Sequence, residues 1–339
     1  MDQRLNSLID WASTEIRRDA NLELDAEVQM VSGDASFRRY YRMSFRDRSW
    51  ILVDAPPDKE DNPRFIRIAQ RWRASNVAVP DVVASDIDRG FMLVEDFGDH
   101  VFWSAVHDPE CQPFMVDNYY RQAIDQLIHL QSLASGSLPP YDDALLHTEM
   151  NLFRDWLCEQ QLGLTLSEAE QAMFDAVADF LASEALAQPV VPVHRDYHSR
   201  NLMVRPNGSL GIIDFQDAVA GPVAYDLVSL LRDCYVRWTP DMVGEWLAYY
   251  WKEARRQGVY LSDWPQLVRD FDLMGVQRHL KAAGIFARLH LRDGKAGYLG
   301  DIPNTCQYLL DVSSRYVELS AFHDWLESRI IPRLDALPS

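Results

Sequence analysis

Leu5, Leu8, Ile9 and Ile16 fall near helical spacing, so residues 3–18 are expected to form an amphipathic helix packed against the segment after it. From Ala26 the pattern changes. AEVQMVSGDASFRRYYRMSF and SWILVDAPP crowd Val, Tyr, Phe and Ile around turn residues, predicting two or three antiparallel strands. Phe65, Ile66, Ile68, Ala69 and Trp72 return to a helical period between Asp61 and Ser75, closed by Asn76 and Pro80. VPDVVASD and GFMLVEDFGD then read as two further strands. After Asp99 the strand signals fade, and helices are expected over 112–134, 148–161 and 167–186. Beyond Asp226 they are expected over 227–236, 240–257, 264–290, 303–318 and 320–334. The pattern thus divides the chain near residue 98 into a β-rich part, 1–98, and a helical part, 99–339.

One stretch interrupts the helical part: PVVPVHRDYHSRNLMVRPNGSLGIIDFQDAVAGPVAYD, from Pro189 to Asp226. Val190, Val191 and Val193 read as a short buried strand that delivers His194, Arg195 and Asp196 onto a loop. The Arg205-Pro206-Asn207-Gly208 turn leads into Leu210, Ile212 and Ile213, a hairpin that folds Asp214 back toward Asn201. Four residues separate Asp196 from Asn201, so one compact loop presents a carboxylate and a carboxamide together. Phosphoryl transfer needs that pair: the carboxylate accepts a hydrogen bond from an attacking hydroxyl, and the carboxamide oxygen binds Mg²⁺. Mg²⁺ favours oxygen ligands and keeps several waters, so Asn201, Asp214 and ATP phosphate oxygens suffice. His194 and His198 stand four apart, but no HExxH helix and no third nitrogen or sulfur ligand accompanies them as zinc would require. His194 is read instead as a packed histidine that orders the loop.

Composition narrows the partners. The chain has 339 residues, 47% of them apolar, enough for two domains with substantial cores. Its 51 acidic and 33 basic residues leave a formal charge of -18, which argues against a nucleic-acid partner and suits cationic ligands weakly. No apolar run approaches the ~18 residues that span a bilayer, and the amphipathic start does not read as a signal peptide. A cytoplasmic protein without a membrane partner is expected. Cys111, Cys158, Cys234 and Cys306 lie far apart, consistent with reduced thiols.

HRDYHSRN, followed by IIDFQDA and YDL, resembles the aminoglycoside phosphotransferase and choline kinase-like family. The likeness extends through SGDASFRRYYR, VDAPPDKED, GFMLVEDFGD, SLLRDCY and QRHLKAAGIFARLHLRDGKAGYL, nearly the whole chain. Within the family it looks most like the anomeric kinases for N-acetylmuramate and N-acetylglucosamine of bacterial cell-wall recycling. The resemblance implies an α+β, protein-kinase-like fold with a small β-rich nucleotide-binding lobe and a larger helical lobe. It implies a small-molecule kinase using ATP and Mg²⁺ to make a sugar 1-phosphate, as a monomer or small homo-oligomer. Carried onto these residues, it makes Asp196 the catalytic base, Asn201 and Asp214 the Mg²⁺ ligands and Asp226 the anchor of the catalytic loop. Asp217 supports the metal site or is an exposed loop aspartate.

Nucleotide contacts are expected from the Ser32-Gly33-Asp34-Ala35-Ser36 turn, from Arg38 and Arg39, and from Glu95 and Phe97 at the end of the fifth strand. One departure from the family stands out. The third strand reads Trp50-Ile51-Leu52-Val53-Asp54-Ala55-Pro56 and lacks the usual phosphate-holding lysine. Lys59, the arginines Arg38, Arg39 and Arg42, or backbone alone remain, with an arginine clamp preferred because guanidinium grips phosphate through parallel bonds. Sugar contacts are expected from His198 and Arg200, which flank Asp196, and from Gln277 and Lys281, which share a helix face. The alternatives are a kinase for a cationic small molecule, such as an aminoglycoside or choline-like amine, and a catalytically dead kinase-like binding protein.

Overall fold

A computed structural model describes residues 2–20, 27–33, 37–46 and 48–334, with the side chains of 18–20 and 32–33 left aside. In chain order the elements are α1 (Gln3–Ala20), β1 (Glu27–Gly33), β2 (Arg39–Phe45), β3 (Arg48–Asp54), α2 (Asn62–Ala74), β4 (Val82–Asp86), β5 (Phe91–Glu95), α3 (Phe102–Val106), α4 (Pro113–Gln131), α5 (Asp143–Leu152) and α6 (Glu168–Leu186). They continue as β6 (Val190–Val193), β7 (Leu202–Val204), β8 (Leu210–Ile212), β9 (Val219–Pro222), α7 (Ala224–Leu231), α8 (Pro240–Arg256), α9 (Trp264–Asp293), α10 (Ile302–Ser313), α11 (Ser320–Trp325) and α12 (Ile331–Leu334). The fold is α+β and kinase-like, with a small antiparallel sheet and a larger helical part. Among the described residues no helix is long and apolar enough to cross a membrane.

By its contacts the chain forms two compact units, Met1–Ala105 with Asn201–Gln216, and Val106–Arg200 with Asp217–Ser339. In the first, five antiparallel strands run in the order β1-β2-β3-β5-β4. Alternation along β2 turns Tyr41 and Met43 to one face, where Leu52, Phe91 and Leu93 join them. Leu8, Trp11, Ala12 and Ile16 of α1 close over that face, so the leading helix is part of the sheet's core. Helix α2 starts where the Asp61 carboxylate caps the Arg64 N–H at 3.0 Å. Its Phe65 and Trp72 rings lie 4.8 and 5.9 Å from that of Phe215, which anchors the chain just beyond the β7–β8 hairpin. Although the hairpin comes after the helical stretch in sequence, its contacts lie with the sheet.

The second unit is built around α9. Its positions 270–284 are buried without a break, the pattern of a helix surrounded on all sides. Asp270, Asp272, Gln277, Arg278, His279 and Lys281 lie inside this run, so the helix carries ionisable groups into the core. Gly284 lets it touch the backbone of the next helix: a Cβ there would meet the Leu152 carbonyl carbon at 2.2 Å. That contact falls where α5 passes into wider, π-helical turns over Phe153–Gln161.

Boundaries move where capping decides them. The helix expected from 148 begins at Asp143 because the Asp142 carboxylate takes the Leu145 N–H at 2.9 Å. The last turns expected over 303–318 stop at Ser313. Strand β9, which pairs with β6, and the short helix α3 are too brief to show a period.

Candidate active site

In the second unit, β6 ends at Val193 and the chain turns sharply through His194 and Arg195, the latter at φ 79°. A non-glycine residue in that region carries strain, and the surroundings hold it there. The buried Asp226 carboxylate, on α7, accepts the His194 N–H at 2.6 Å and the Arg195 N–H at 3.0 Å. His194 is fully buried, and its Nδ1 accepts the Asp196 N–H at 3.2 Å. Burial pushes the Asp226 carboxyl up to about 7 against the pull of its two N–H donors. The exposed Asp217 meets this loop through its carbonyl oxygen, 3.5 Å from Arg195 Nη1.

Asp196 is surrounded by positive charge. Burial alone would raise its pKa, but Lys281, His198, Arg195 and His194 outweigh it and hold the carboxyl at about 2. Lys281 Nζ lies 3.2 Å from Glu149 Oε1 and donates to the Tyr225 hydroxyl at 2.8 Å. Glu149 also pairs with Arg195 and accepts the Tyr141 hydroxyl. Gln277 Nε2 lies 3.4 Å from both Tyr141 and Glu149 oxygens. Glu149, Gln277 and Lys281 are all buried, so Gln277 and Lys281 sit inside a polar network and not on an open helix face. Despite its burial, Glu149 stays below the ordinary glutamate value because Lys281 and Arg195 neutralise it.

The loop continues into a second group of polar and aromatic residues. Burial lowers the His198 pKa, keeping the imidazole neutral near pH 7. Its ring meets that of Tyr235 edge-on at 5.2 Å, and the Arg200 guanidinium lies 3.6 Å above the Tyr235 ring centre. The buried Asp233 takes the Ser199 N–H and the Tyr235 N–H, each at 2.9 Å.

In the first unit, the β7–β8 hairpin brings Asn201 and Asp214 together: the Asn201 carbonyl accepts the Ile213 N–H at 3.0 Å, and Asn201 Nδ2 donates to Asp214 Oδ2 at 3.2 Å. Gln216 Nε2 donates to Asp214 Oδ1 at 2.7 Å. Asp214 itself stands at φ 64°, a second strained non-glycine residue. The donor set is one carboxylate and one carboxamide, hard oxygen ligands that fit Mg²⁺. With the Asn201 amide turned over, its oxygen and that of Asp214 would both be free to hold such an ion.

The expected nucleotide residues separate. Ser32 and Gly33 end β1, while Asp34–Ser36 lie outside the described residues. Arg39 is tied to Asp54, at 2.5 Å, and to Asp2, next to α1. Its register position is shared with the α1-facing residues Tyr41 and Met43, which places it beside α1 and Asp54. Arg42 is held by Asp96, at 2.6 Å, and by Asp99. Arg38 is buried in an ion pair with Glu60 at 2.8 Å, and Glu60 also takes the Phe37 N–H at 3.1 Å. The Glu95 carboxylate pairs with Arg73 and Arg205, at 2.9 and 3.0 Å, and its backbone N–H donates to the Asp81 carbonyl at 2.8 Å. Phe97 is buried: its ring lies so close over Gly211 that a Cβ there would come within 2.5 Å, and Arg205 stacks on it at 4.7 Å. Its ring therefore packs the hairpin.

Tyr225, Asp233 and Glu60 lie in YDL, SLLRDCY and VDAPPDKED, where sequence reasoning assigns them no role, and Tyr141 and Glu149 belong to no motif that it singles out. Glu149 does leave a signal. It falls in phase with Leu146 and Met150, so an acid occupies the buried face of its helix.

A family model described as phosphotransferase enzyme family matches residues 27–265. An N-acetylmuramate/N-acetylglucosamine kinase of Pseudomonas aeruginosa is 42% identical over 306 residues, covering 89% of this chain and 88% of its own. One of Pseudomonas putida is 40% identical over 326 residues, covering 94% of each. Among solved structures, a choline kinase from Streptococcus pneumoniae superposes with a TM-score of 0.63 at 11% identity, over 90% of this chain and 99% of its own. An ADP-bound aminoglycoside phosphotransferase gives 0.59 at 14%, over 92% and 99%. At such identities the structural likeness speaks for the fold alone, but the family match and the two curated relatives go further: this chain belongs to the phosphotransferase enzyme family.

Proposed function

We propose that the protein is an ATP-dependent sugar kinase that phosphorylates the anomeric hydroxyl of N-acetylmuramate and N-acetylglucosamine, giving sugar 1-phosphates in cytoplasmic peptidoglycan recycling. The observation that carries this reading is the 40–42% identity, over about nine-tenths of the chain, to kinases named for those two sugars. The chemistry of the residues supports it. Asp196, ionised throughout the physiological range, accepts a hydrogen bond from the acceptor hydroxyl and aims its lone pair at the γ-phosphorus. An anomeric hydroxyl is more acidic than an ordinary alcohol, so a carboxylate of low basicity suffices.

Asn201 and Asp214 would hold Mg²⁺, which when bound neutralises charge on the phosphate oxygens. Arg38, held by Glu60 and two residues past the Ser32–Ser36 stretch, is the arginine best suited to meet phosphate in place of the missing lysine. His198, Arg200 and the backbone around them would receive the sugar.

An acceptor panel assayed for ADP release, with the phosphate position assigned by phosphorus NMR, tests the reading. Anomeric phosphates from both amino sugars are expected. Turnover on aminoglycosides or choline and not on amino sugars would replace it with a kinase for cationic substrates. Absence of any Mg²⁺-dependent turnover would leave a binding protein.

A further inference from the structure

The two sugars of the proposed reaction differ in charge. N-acetylmuramate carries a lactyl carboxylate and N-acetylglucosamine does not. Resting on that reading, we propose that Arg200 recognises the lactyl carboxylate, and that Asp301 keeps the same guanidinium in place when the acceptor is the neutral sugar.

Arg200, four residues past Asp196, differs from other arginines of its unit. Arg195 is bound to Glu149, Arg232 Nη2 to Asp272 at 2.5 Å, and Arg278 Nε to Ser229 at 2.5 Å. The Arg200 side chain donates no hydrogen bond to any described residue of its unit. Among the described residues of its unit, the acid within 4 Å is Asp301, with Nη2 to Oδ2 at 3.9 Å, an electrostatic approach beyond hydrogen-bond reach. The guanidinium is fixed by stacking on Tyr235, which orients its plane and leaves the fork of N–H donors available. Such a fork matches a carboxylate through two parallel bonds.

The site is built and not incidental. One buried carboxylate, Asp233, fixes both partners, because it takes the backbone N–H of Ser199, beside Arg200, and that of Tyr235, the ring on which Arg200 lies. Phe286 backs Tyr235 at 5.9 Å, and Tyr298 stacks on Phe286 at 5.6 Å. Neutral His198, edge-on to the same ring, has a buried Nδ1 without a hydrogen-bond partner. That atom can meet a hydroxyl or acetamido group common to both sugars. Asp301 is part-buried, and burial raises its carboxyl while Arg200 pulls it down. It offers the cation a counter-charge at a distance, one that a closer, bidentate carboxylate replaces. A single acceptor site thereby accommodates an anionic and a neutral sugar without leaving Arg200 uncompensated.

The test compares kcat/KM for N-acetylmuramate, its lactyl primary amide and N-acetylglucosamine in wild type, Arg200→Gln and Asp301→Asn. Wild type is expected to prefer the acid over its amide, a comparison that needs no variant. In Arg200→Gln the preference for N-acetylmuramate over N-acetylglucosamine falls about 10- to 100-fold, as for loss of hydrogen bonds to a charged group, and acid and amide become equivalent. In Asp301→Asn the preference for the acid rises. Equal losses on all three acceptors in Arg200→Gln, or a wild type indifferent to amidation, would overturn the assignment while leaving the sugar kinase intact. Wild-type turnover of none of the three would overturn the proposed function and this assignment with it.

Discussion

The loop that carries Asp196 and the hairpin that carries Asn201 and Asp214 are built on different principles. Each contains one non-glycine residue at positive φ, Arg195 and Asp214 respectively. In the loop, fixed groups take up the backbone donors: Asp226 takes two N–H groups, His194 takes the next, and Glu149 holds the Arg195 side chain. In the hairpin, the Asp214 oxygens take the side-chain amides of Asn201 and Gln216. A backbone donor cannot leave without unfolding the loop, whereas a side-chain amide can turn away when a cation arrives. The loop is thus built to stay still and the hairpin to exchange partners, which is what the proposed roles of Asp196 as base and of Asn201 and Asp214 as metal ligands would require.

The largest effect should come from the rigid side. Asp196→Asn keeps the shape and removes the negative hydrogen-bond acceptor, so kcat should fall by about 10² to 10⁴ while ATP affinity is retained. Single-turnover kinetics with ATP binding measured separately would decide it, and turnover near the wild-type rate would remove Asp196 from its role. On the exchanging side, Gln216→Ala takes away a group that orients Asp214. The Mg²⁺ concentration for half-maximal rate should rise about 10- to 100-fold, recoverable by added Mg²⁺. If Gln216 only packs, the Mg²⁺ titration will superimpose on that of wild type.

A smaller effect separates the electrostatics of the loop from its geometry. Lys281 is the leading cation holding Asp196 at about 2, so its removal must raise that pKa. Wild type, with Asp196 ionised at pH 5 as at pH 8, should show no acid limb from this group. In Lys281→Met the ionised fraction at pH 5 drops, and kcat/KM at pH 5 relative to pH 8 should decrease by up to about twofold. A pH profile of unchanged shape would mean that Lys281 serves only to neutralise Glu149.

The same contrast explains what the sequence discloses. Strands and long helices are legible because short-range pattern encodes them: an apolar run in β5, a period of 3.6 in α4 and α6, and a turn at Asn207-Gly208 that brings Asn201 and Asp214 together. The polar network behind Asp196 is not. Glu149, Tyr225 and Lys281 come from three helices, and their pairing depends on how α5, α7 and α9 pack. The sequence shows only that Gln277 and Lys281 share a helix face, and it takes the burial of α9 on all sides to reveal that this face lies inside the unit. The arginines of SFRRYYR are equivalent in sequence. The sheet distinguishes them, giving Arg39 to Asp54 and Asp2, Arg42 to Asp96 and Asp99, and Arg38 to Glu60.

The anchoring of the rigid loop is open to a direct test through Asp226. At pH 8 its carboxylate, pushed up to about 7 by burial, is ionised, and each oxygen accepts one backbone N–H. In Asp226→Asn the size is kept, but the carboxamide has one oxygen and turns an NH₂ group toward the other N–H. One buried donor then loses its partner and faces a second donor, a change that should destabilise the fold by about 1–3 kcal/mol. Because Arg195 is strained at φ 79°, the loop has an alternative conformation to relax into once the anchor weakens. The variant should therefore lose kcat by more than its unfolded fraction explains, with ATP affinity retained. Chemical denaturation at pH 8 alongside kcat measured on the folded fraction distinguishes the outcomes. Full specific activity in a destabilised protein would show that Asp226 holds the fold without setting the position of Asp196.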